Sequence, residues 1–295
     1  MLIPDAFHHG GGARAIVATS SDGRHIIGAA AVSPRLRSDP VTGPRIALHV
    51  IPPFRRRGIG ARLLAACAQV AAGERAAALY AWQPLLPESL EARAYAGIGF
   101  DRSIRVEEGR ADVEKSYQYL KPFFDELVQR QWIPPAAKLV PLSPAYASEI
   151  ANLHVQYLGG RPDEIAAQVR GELPIRYHPQ LSPVILVDGK VMGFTLARLF
   201  GERQTLVDSH ALHPRLRGGW ASLWLKFAGL CACRDLGIAT TLFYSYDRHT
   251  DTQKLSRKAG VVIREMIEPY ILLENPRFAA APRPDVPGDR NPPPA

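Results

Sequence analysis

Residues 48–64 read Leu-His-Val-Ile-Pro-Pro-Phe-Arg-Arg-Arg-Gly-Ile-Gly-Ala-Arg-Leu-Leu, the order expected of an anion cradle. An apolar run ends at Pro52-Pro53, a basic loop with two glycines follows, and a helical pattern opens at Gly60. The first N–H groups of a helix have no intrahelical partner and carry the positive end of its dipole. Gly58 and Gly60 let an anion approach that backbone without interference from a Cβ, and Ile59 and Ala61 supply further N–H donors. Arg55, Arg56 and Arg57 add positive charge. No Lys-Ser/Thr pair follows the glycines, and Leu63 stands where a dinucleotide fingerprint needs its third glycine, so neither common phosphate motif is present.

Two other residue types bear on chemistry near this loop. Tyr95, in Tyr95-Ala96-Gly97-Ile98-Gly99-Phe100, is a weak acid with an ordinary pKa of ~10, or simply an aromatic that caps a core. His49 is tempting as a base because imidazole titrates near neutrality, although a lone histidine on a strand is more often structural. Glu91, one helical turn before Tyr95, reads as surface. His8-His9-Gly10-Gly11-Gly12 offers only two metal ligands and reads as a flexible start. Cys67, Cys231 and Cys233 match no zinc spacing or disulfide framework and sit in Ala/Leu-rich stretches as small apolar side chains. No metal is expected.

The elements that must hold these residues follow from periodicity. Arg14 to Ser20 and His25 to Val32 alternate as strands around Asp22-Gly23, and Arg45 to Ile51 is a third strand. A helix spans Gly60 to Ala72, a buried strand Ala76 to Trp82, and a short helix Glu88 to Gly97. A hairpin is predicted from Ser103 to Glu107 and Val113 to Leu120 about Glu108-Gly109, then a helix from Phe123 to Gln131 that Ile133-Pro134-Pro135 ends. After the prolines the order recurs: a strand at Lys138 to Pro141, helices at Tyr146 to Leu158 and Asp163 to Arg170, then strands at Pro183 to Val187, Lys190 to Phe200 and Gln204 to Leu212. A helix from Ala221 to Cys233, a strand from Ala239 to Tyr246, a helix from Thr252 to Ala259 and a strand from Val261 to Leu273 close the pattern.

An internal repeat underlies this order. Pro52-Pro53-Phe54-Arg55 answers Pro214-Arg215-Leu216-Arg217 at an offset of 162, and Ile98-Gly99-Phe100 answers Ala259-Gly260-Val261 at 161. The first copy begins at the second strand of the pattern, without the opening strand and two helices of the second. Where the second copy should have its loop glycines it has Trp220 and Ser222, and Ser256 stands at the position of Tyr95. Asp208, His210 and His213 are polar enough to line a pocket there.

At 295 residues, with 46% hydrophobic and 22% charged residues, the chain suits two globular domains. Its net charge of +8 favours an anionic partner. The arginines are dispersed and no RNA-binding or helix-turn-helix signature occurs, which argues against nucleic acid. The N-terminus lacks a secretory signal and no long apolar stretch is present, so the expected location is cytoplasmic, without a membrane partner.

Arg55-x-x-Gly58-x-Gly60 resembles the R-x-x-G-x-G/A pyrophosphate loop of the GNAT superfamily of N-acetyltransferases. The strand end Val50-x-Pro52, the paired Leu63-Leu64 and the Tyr95-to-Phe100 segment extend the likeness. It covers residues 13–121 and, more weakly, 137–274. The resemblance implies an α/β (α+β) fold of two tandem GNAT domains, each a mixed, mostly antiparallel sheet flanked by helices. The units would be residues 1–121, a linker helix at 122–136, a degenerate copy at 137–275 and a disordered Pro-rich tail at 276–295. It implies acetyl-CoA or another acyl-CoA as co-substrate, a small-molecule or peptide amine as acceptor, and a second copy of the chain as a candidate partner. Loop N–H groups from Arg57 to Ala61 would take the CoA pyrophosphate, a backbone N–H near Val50 would polarise the acyl carbonyl, and Tyr95 would protonate the departing thiolate. Three readings stay open: an N-acyltransferase working at the first copy, a non-catalytic acyl-CoA-binding module, and a transferase working at the second.

Overall fold

The computed structural model describes residues 14–33, 43–173, 176–246 and 250–274, so the His8–Gly12 tract and the Pro-rich tail lie outside it. In chain order the first half contributes strands β1 (Arg14–Thr19), β2 (Ile26–Val32) and β3 (Arg45–Val50), helix α1 (Ile59–Gly73), β4 (Ala78–Ala81), α2 (Leu90–Ile98) and β5 (Arg102–Asp112). Helix α3 (Val113–Gln129) leads to the second half, with β6 (Ala137–Val140), α4 (Ala147–Leu158), α5 (Pro162–Arg170), β7 (Val184–Val187) and β8 (Lys190–Leu199). It closes with β9 (Gln204–Leu212), α6 (Trp220–Asp235), β10 (Thr240–Tyr246), α7 (Thr250–Lys258) and β11 (Val262–Leu272).

Local chemistry explains these boundaries. Asp22 accepts hydrogen bonds from the Ser20 hydroxyl and from the Arg24 N–H at 3.1 Å, while Gly23 takes φ 70°, closing the β1–β2 turn. Ser89 caps α2 by accepting from the Ala92 N–H at 3.1 Å, and Gly99 ends it at φ 115°. Along α1 the buried positions Leu63, Leu64, Cys67, Ala68 and Ala71 form one stripe. That stripe packs on Ala30, Val32, Ile46 and Leu79 of the sheet.

The predicted hairpin between Ser103 and Leu120 does not form. Residues Arg102–Asp112 make one strand, and a helix begins directly at Val113. Asp112 caps it, accepting from the Lys115 N–H at 2.9 Å. Gly109 is not a turn residue. It lies in mid-strand, where a Cβ would run into the ring of Phe243 from β10. Gly109→Val should therefore cost about 1–3 kcal/mol by overpacking, read as a lower midpoint in chemical denaturation. Gly73→Ala, at an open position, serves as the control that stays near wild type.

Among the described residues the strands form one 11-stranded sheet in the order β1-β2-β3-β4-β11-β5-β10-β9-β8-β7-β6. The closing strands are exchanged: β11 lies between β4 and β5, and β5 lies between β11 and β10. Each half therefore completes its sheet with the last strand of the other, and Ile271 of β11 is fully buried in the core under α1. Two buried carboxylates are paired across the exchange. Glu268 of β11 pairs with Arg45 of β3, and Glu107 of β5 pairs with Arg257 of α7. Glu107 and Glu268 occupy equivalent places in the repeat, 161 residues apart. Removing one partner of such a pair would leave a buried charge uncompensated, which is strongly destabilising.

Pairs β3–β4 and β9–β10 are parallel, and both come apart along their length. Strand β3 meets β4 only at Arg45↔Tyr80 and Ile46↔Ala81, leaving Ala47 to Val50 without a partner on that side. A V-shaped split results.

Candidate functional site

The basic loop sits at the head of this split. Pro52–Phe54 form a 3-10 turn, and the Arg55 N–H donates to the Pro52 carbonyl at 3.2 Å. The Arg55 side chain turns back, Nε donating to the Val50 carbonyl at 2.9 Å, so it braces the strand end while Arg56 and Arg57 remain exposed. Arg56 takes φ 61° and Gly58 φ 78°, a double reversal that sets α1 beginning at Ile59. No side chain caps this helix, and its N–H groups through Ala61 face outward without intrahelical acceptors. At Gly58 nothing lies within 4 Å of where a Cβ would stand. At Gly60 the nearest atoms to a Cβ are Ile98 Cγ2 at 3.6 Å and Leu48 Cδ2 at 3.7 Å, so this glycine rests on the core between β3 and α2. An open, uncapped, positive helix end of this kind fits a pyrophosphate.

Tyr95 occupies the split itself. Its hydroxyl donates to the Ile46 carbonyl at 3.0 Å, at the last residue of β3 that pairs with β4. The ring packs edge-on against Phe100 with centroids 4.8 Å apart. Burial pushes the phenol up to about 12, opposed by the backbone N–H of Trp82 just past the end of β4. Its hydroxyl thus lies between the two diverging strands. Val50, also at the split, has its carbonyl taken by Arg55.

His49 is not brought to Tyr95. Leu48 and Val50 face the core under α1, and alternation along β3 places His49 on the opposite face of the sheet. Cys67 lies in the core beside this site, its thiol pushed up to about 12 by burial, and Cys233 is raised to about 11 for the same reason. Among the described residues no group of His, Cys, Asp or Glu could hold a metal ion.

The second copy repeats the loop more closely than its sequence indicates. Pro214–Leu216 form the same 3-10 turn, the Arg217 N–H donates to Pro214 at 3.2 Å, and Arg217 Nε donates to Leu212 at 3.4 Å. Gly218 takes φ 70° in the place of Arg56, and neither it nor Gly219 has an atom within 4 Å of a would-be Cβ. The Trp220 indole packs against Trp224, centroids 5.9 Å apart, in a cluster with Leu212, Leu216 and Ala221. Ser256, at the position of Tyr95, is buried and supplies no phenol.

Several residues facing the second split escaped sequence reading. Strand β9 pairs with β10 only through Val207, and Asp208 is the extra residue of a bulge against β8. Asp208 pairs with Arg198 at 2.9 Å, and its open surface faces a cavity rather than bulk water; desolvation pushes its carboxyl above the usual range. His154, held to the Gly159 carbonyl at 2.8 Å, and Tyr177 line the same space. Only Asp208 and His210 of this group had a local signal, their polarity within an apolar strand. His213 instead caps the 3-10 turn, accepting from the Arg215 N–H at 3.4 Å.

Residues 3–100 match the model of the acetyltransferase (GNAT) family. No curated protein matches the chain in sequence. Among solved structures, a tandem GNAT protein from the clavulanic acid biosynthesis pathway aligns with a TM-score of 0.57 and 18% identity, over 89% of this chain and 83% of that one. A GCN5-related N-acetyltransferase from Sphaerobacter thermophilus aligns with a TM-score of 0.54 and 13% identity, over 88% and 80%. One from Anabaena variabilis gives 0.55 and 15%, over 87% and 62%. At these identities the likeness establishes the fold.

Proposed function

From a chain that belongs to the GNAT superfamily, with the family's signature in residues 3–100 and its architecture built twice into one sheet, we infer an acyl-CoA-dependent N-acyltransferase that works at its first copy. The observation carrying this reading is the alignment of an open helix end, a split between parallel strands, and a buried tyrosine hydroxyl inside that split. Acyl-CoA would be held by the N–H groups from Arg57 to Ala61, with Arg56 and Arg57 adding charge. When bound it supplies the activated acyl group as a thioester. The unpaired N–H groups of β3 beyond Ile46 can donate to a carbonyl that becomes more negative as it is attacked. Tyr95 holds a proton at its hydroxyl where the split narrows. Acetyl-CoA is the simplest donor consistent with this site, and the fold does not fix the acceptor.

The second copy supports a different reading, transfer at its own split, because its loop is braced identically and its glycines are open. What it lacks is an acid at Ser256. A thiol-release assay with acetyl-CoA and a panel of primary amines tests the proposal. Amine-dependent release of CoA is expected. Tight acetyl-CoA binding with no release for any amine would make the chain a binding module instead.

A further inference from the structure

A cavity of about 950 Å³ opens where β9 and β10 part, and its lining comes from both faces of the sheet. The last β9–β10 pair is Val207↔Phe243, so Asp208 and Ser209 stand beyond the stretch that pairs with β10. Helix α5 walls one face with Arg161, Glu164 and Gln168, and α6 and α7 wall the other with Leu225, Gly229, Leu230 and Leu255. Strand β8 distinguishes the faces: Phe194 and Leu196 pack with α5, whereas Ala197 packs with α6. Toward α6 and α7 the lining is mostly apolar, with Phe243, Ala259 and Val261 beside the leucines, and Lys226 adds a charge.

Toward α5, hydrogen-bond acceptors collect. Glu164 Oε1 is buried, and Arg161 Nη1 at 3.5 Å forms an ion pair with it but no hydrogen bond. Ser209 Oγ, on the face shared with Leu196, is also buried and has no hydrogen-bond partner among the described residues. His154 Nδ1 donates to the Gly159 carbonyl at 2.8 Å, since a carbonyl only accepts, and Nε2 of the neutral ring is therefore an acceptor. Burial lowers the pKa of this ring and so favours its neutral form. On this wall the carboxylates of Asp163, Glu164 and Asp208 outnumber the guanidiniums of Arg161 and Arg198, and Arg45, which also lines the cavity, is paired with buried Glu268. Desolvation raises the Glu164 carboxyl above its usual range, a penalty that a bound cation would offset. Ser256, in the place of Tyr95, supplies no acid for a leaving thiolate, so a ligand at this split is bound rather than acylated.

We propose that the second split is a ligand site of its own, separate from the transfer centre of the first copy, and that it binds a small amphiphilic amine. A primary ammonium has three donors and no acceptor, which suits Glu164 Oε1, Ser209 Oγ and His154 Nε2. The apolar body lies toward the leucines of α6. The site does not depend on the acyltransferase reading, because it is built from the second half's own walls.

Calorimetry on the full chain without acyl-CoA compares 4-phenylbutylamine, 4-phenylbutanol and 4-phenylbutyrate, which share a body and differ in the head. The amine is expected to bind tighter than either of the others by about tenfold or more. Glu164→Gln should remove that advantage and leave the Kd of the alcohol unchanged, a separation that a merely structural role for Glu164 would not produce. Gly229 of α6 lines the cavity with nothing within 4 Å of a would-be Cβ, so Gly229→Leu fills it from the opposite wall. That variant should weaken amine and alcohol alike by about tenfold or more. Acetyl-CoA affinity should stay at the wild-type value in both, and Glu164→Gln carries the test by itself should Gly229→Leu not fold. Tighter binding of the carboxylate, equal binding of all three compounds, or binding of none overturns the proposal. So does loss of acetyl-CoA binding in Gly229→Leu, since the cavity would then hold the cofactor. N-acetylation of the amine that Glu164→Gln slows and Tyr95→Phe does not would also overturn it, making the second split a transfer centre.

Discussion

Gly60→Trp is expected to weaken acetyl-CoA binding by about 100-fold or more, a loss of roughly 2.7 kcal/mol, while Trp220→Ala leaves it near wild type. Both loops carry arginines and both are braced on the preceding strand, so charge alone does not distinguish them. Position does. A Cβ at Gly60 would point between Leu48 and Ile98 of the core beneath the loop, and an indole there would wedge the start of α1 away from β3 and displace the N–H groups that meet a phosphate. The backbone at Gly60 is not in the left-handed region, so Gly60→Ala, with its nearest contact at 3.6 Å, should fold and bind nearly as wild type. Trp220 packs on Trp224 within the second half's core, so truncating it affects that core more than any ligand. Calorimetric titration with acetyl-CoA reads all three. Normal binding by Gly60→Trp, with binding lost on changing Gly218 or Gly219, would reverse the assignment of the two copies.

Tyr95→Phe should lower kcat by about 10²–10³-fold with little change in acetyl-CoA affinity, the effect of removing one donor from a developing anion. The ring stays on Phe100 and only the hydroxyl and its bond to Ile46 are lost, so the stability cost is about 1 kcal/mol. With its pKa at about 12 the phenol is a weaker acid than a thiol of ~8.5. Oη therefore keeps its proton early and acts as a hydrogen-bond donor to charge that builds on sulfur. The protonated form is the active one, and a raised pKa keeps it protonated as pH rises, so this group should impose no descending limb on kcat through pH 10. An unchanged kcat in the phenylalanine variant would make Tyr95 a core aromatic and nothing more.

The parts legible in sequence are those set by local chemistry. Asp22-Gly23 reveals a hairpin, Leu63, Leu64 and Cys67 reveal a buried helix stripe, and Arg55 to Gly60 reveals an anion loop, because each depends on residues a few positions apart. Glu107-Glu108-Gly109 misleads for the opposite reason. Its polarity and glycine resemble a turn, yet Glu107 is buried against Arg257, 150 residues on, and Gly109 makes room for Phe243. No periodicity encodes that partnership, so the strand exchange stays hidden. Tyr95 was visible by type and spacing, but its hydrogen bond to Ile46 was not. The cavity at the second split was least visible of all, since its lining runs from Arg45 to Val261 and only the merged sheet brings those residues together.

Amide hydrogen exchange with and without saturating acetyl-CoA tests the placement of the cofactor most directly, because it reads the N–H groups themselves. Protection is expected on peptides covering residues 57–62, at the start of α1, with little change over residues 217–223. Protection at 217–223 with none at 57–62 would contradict a first-copy site.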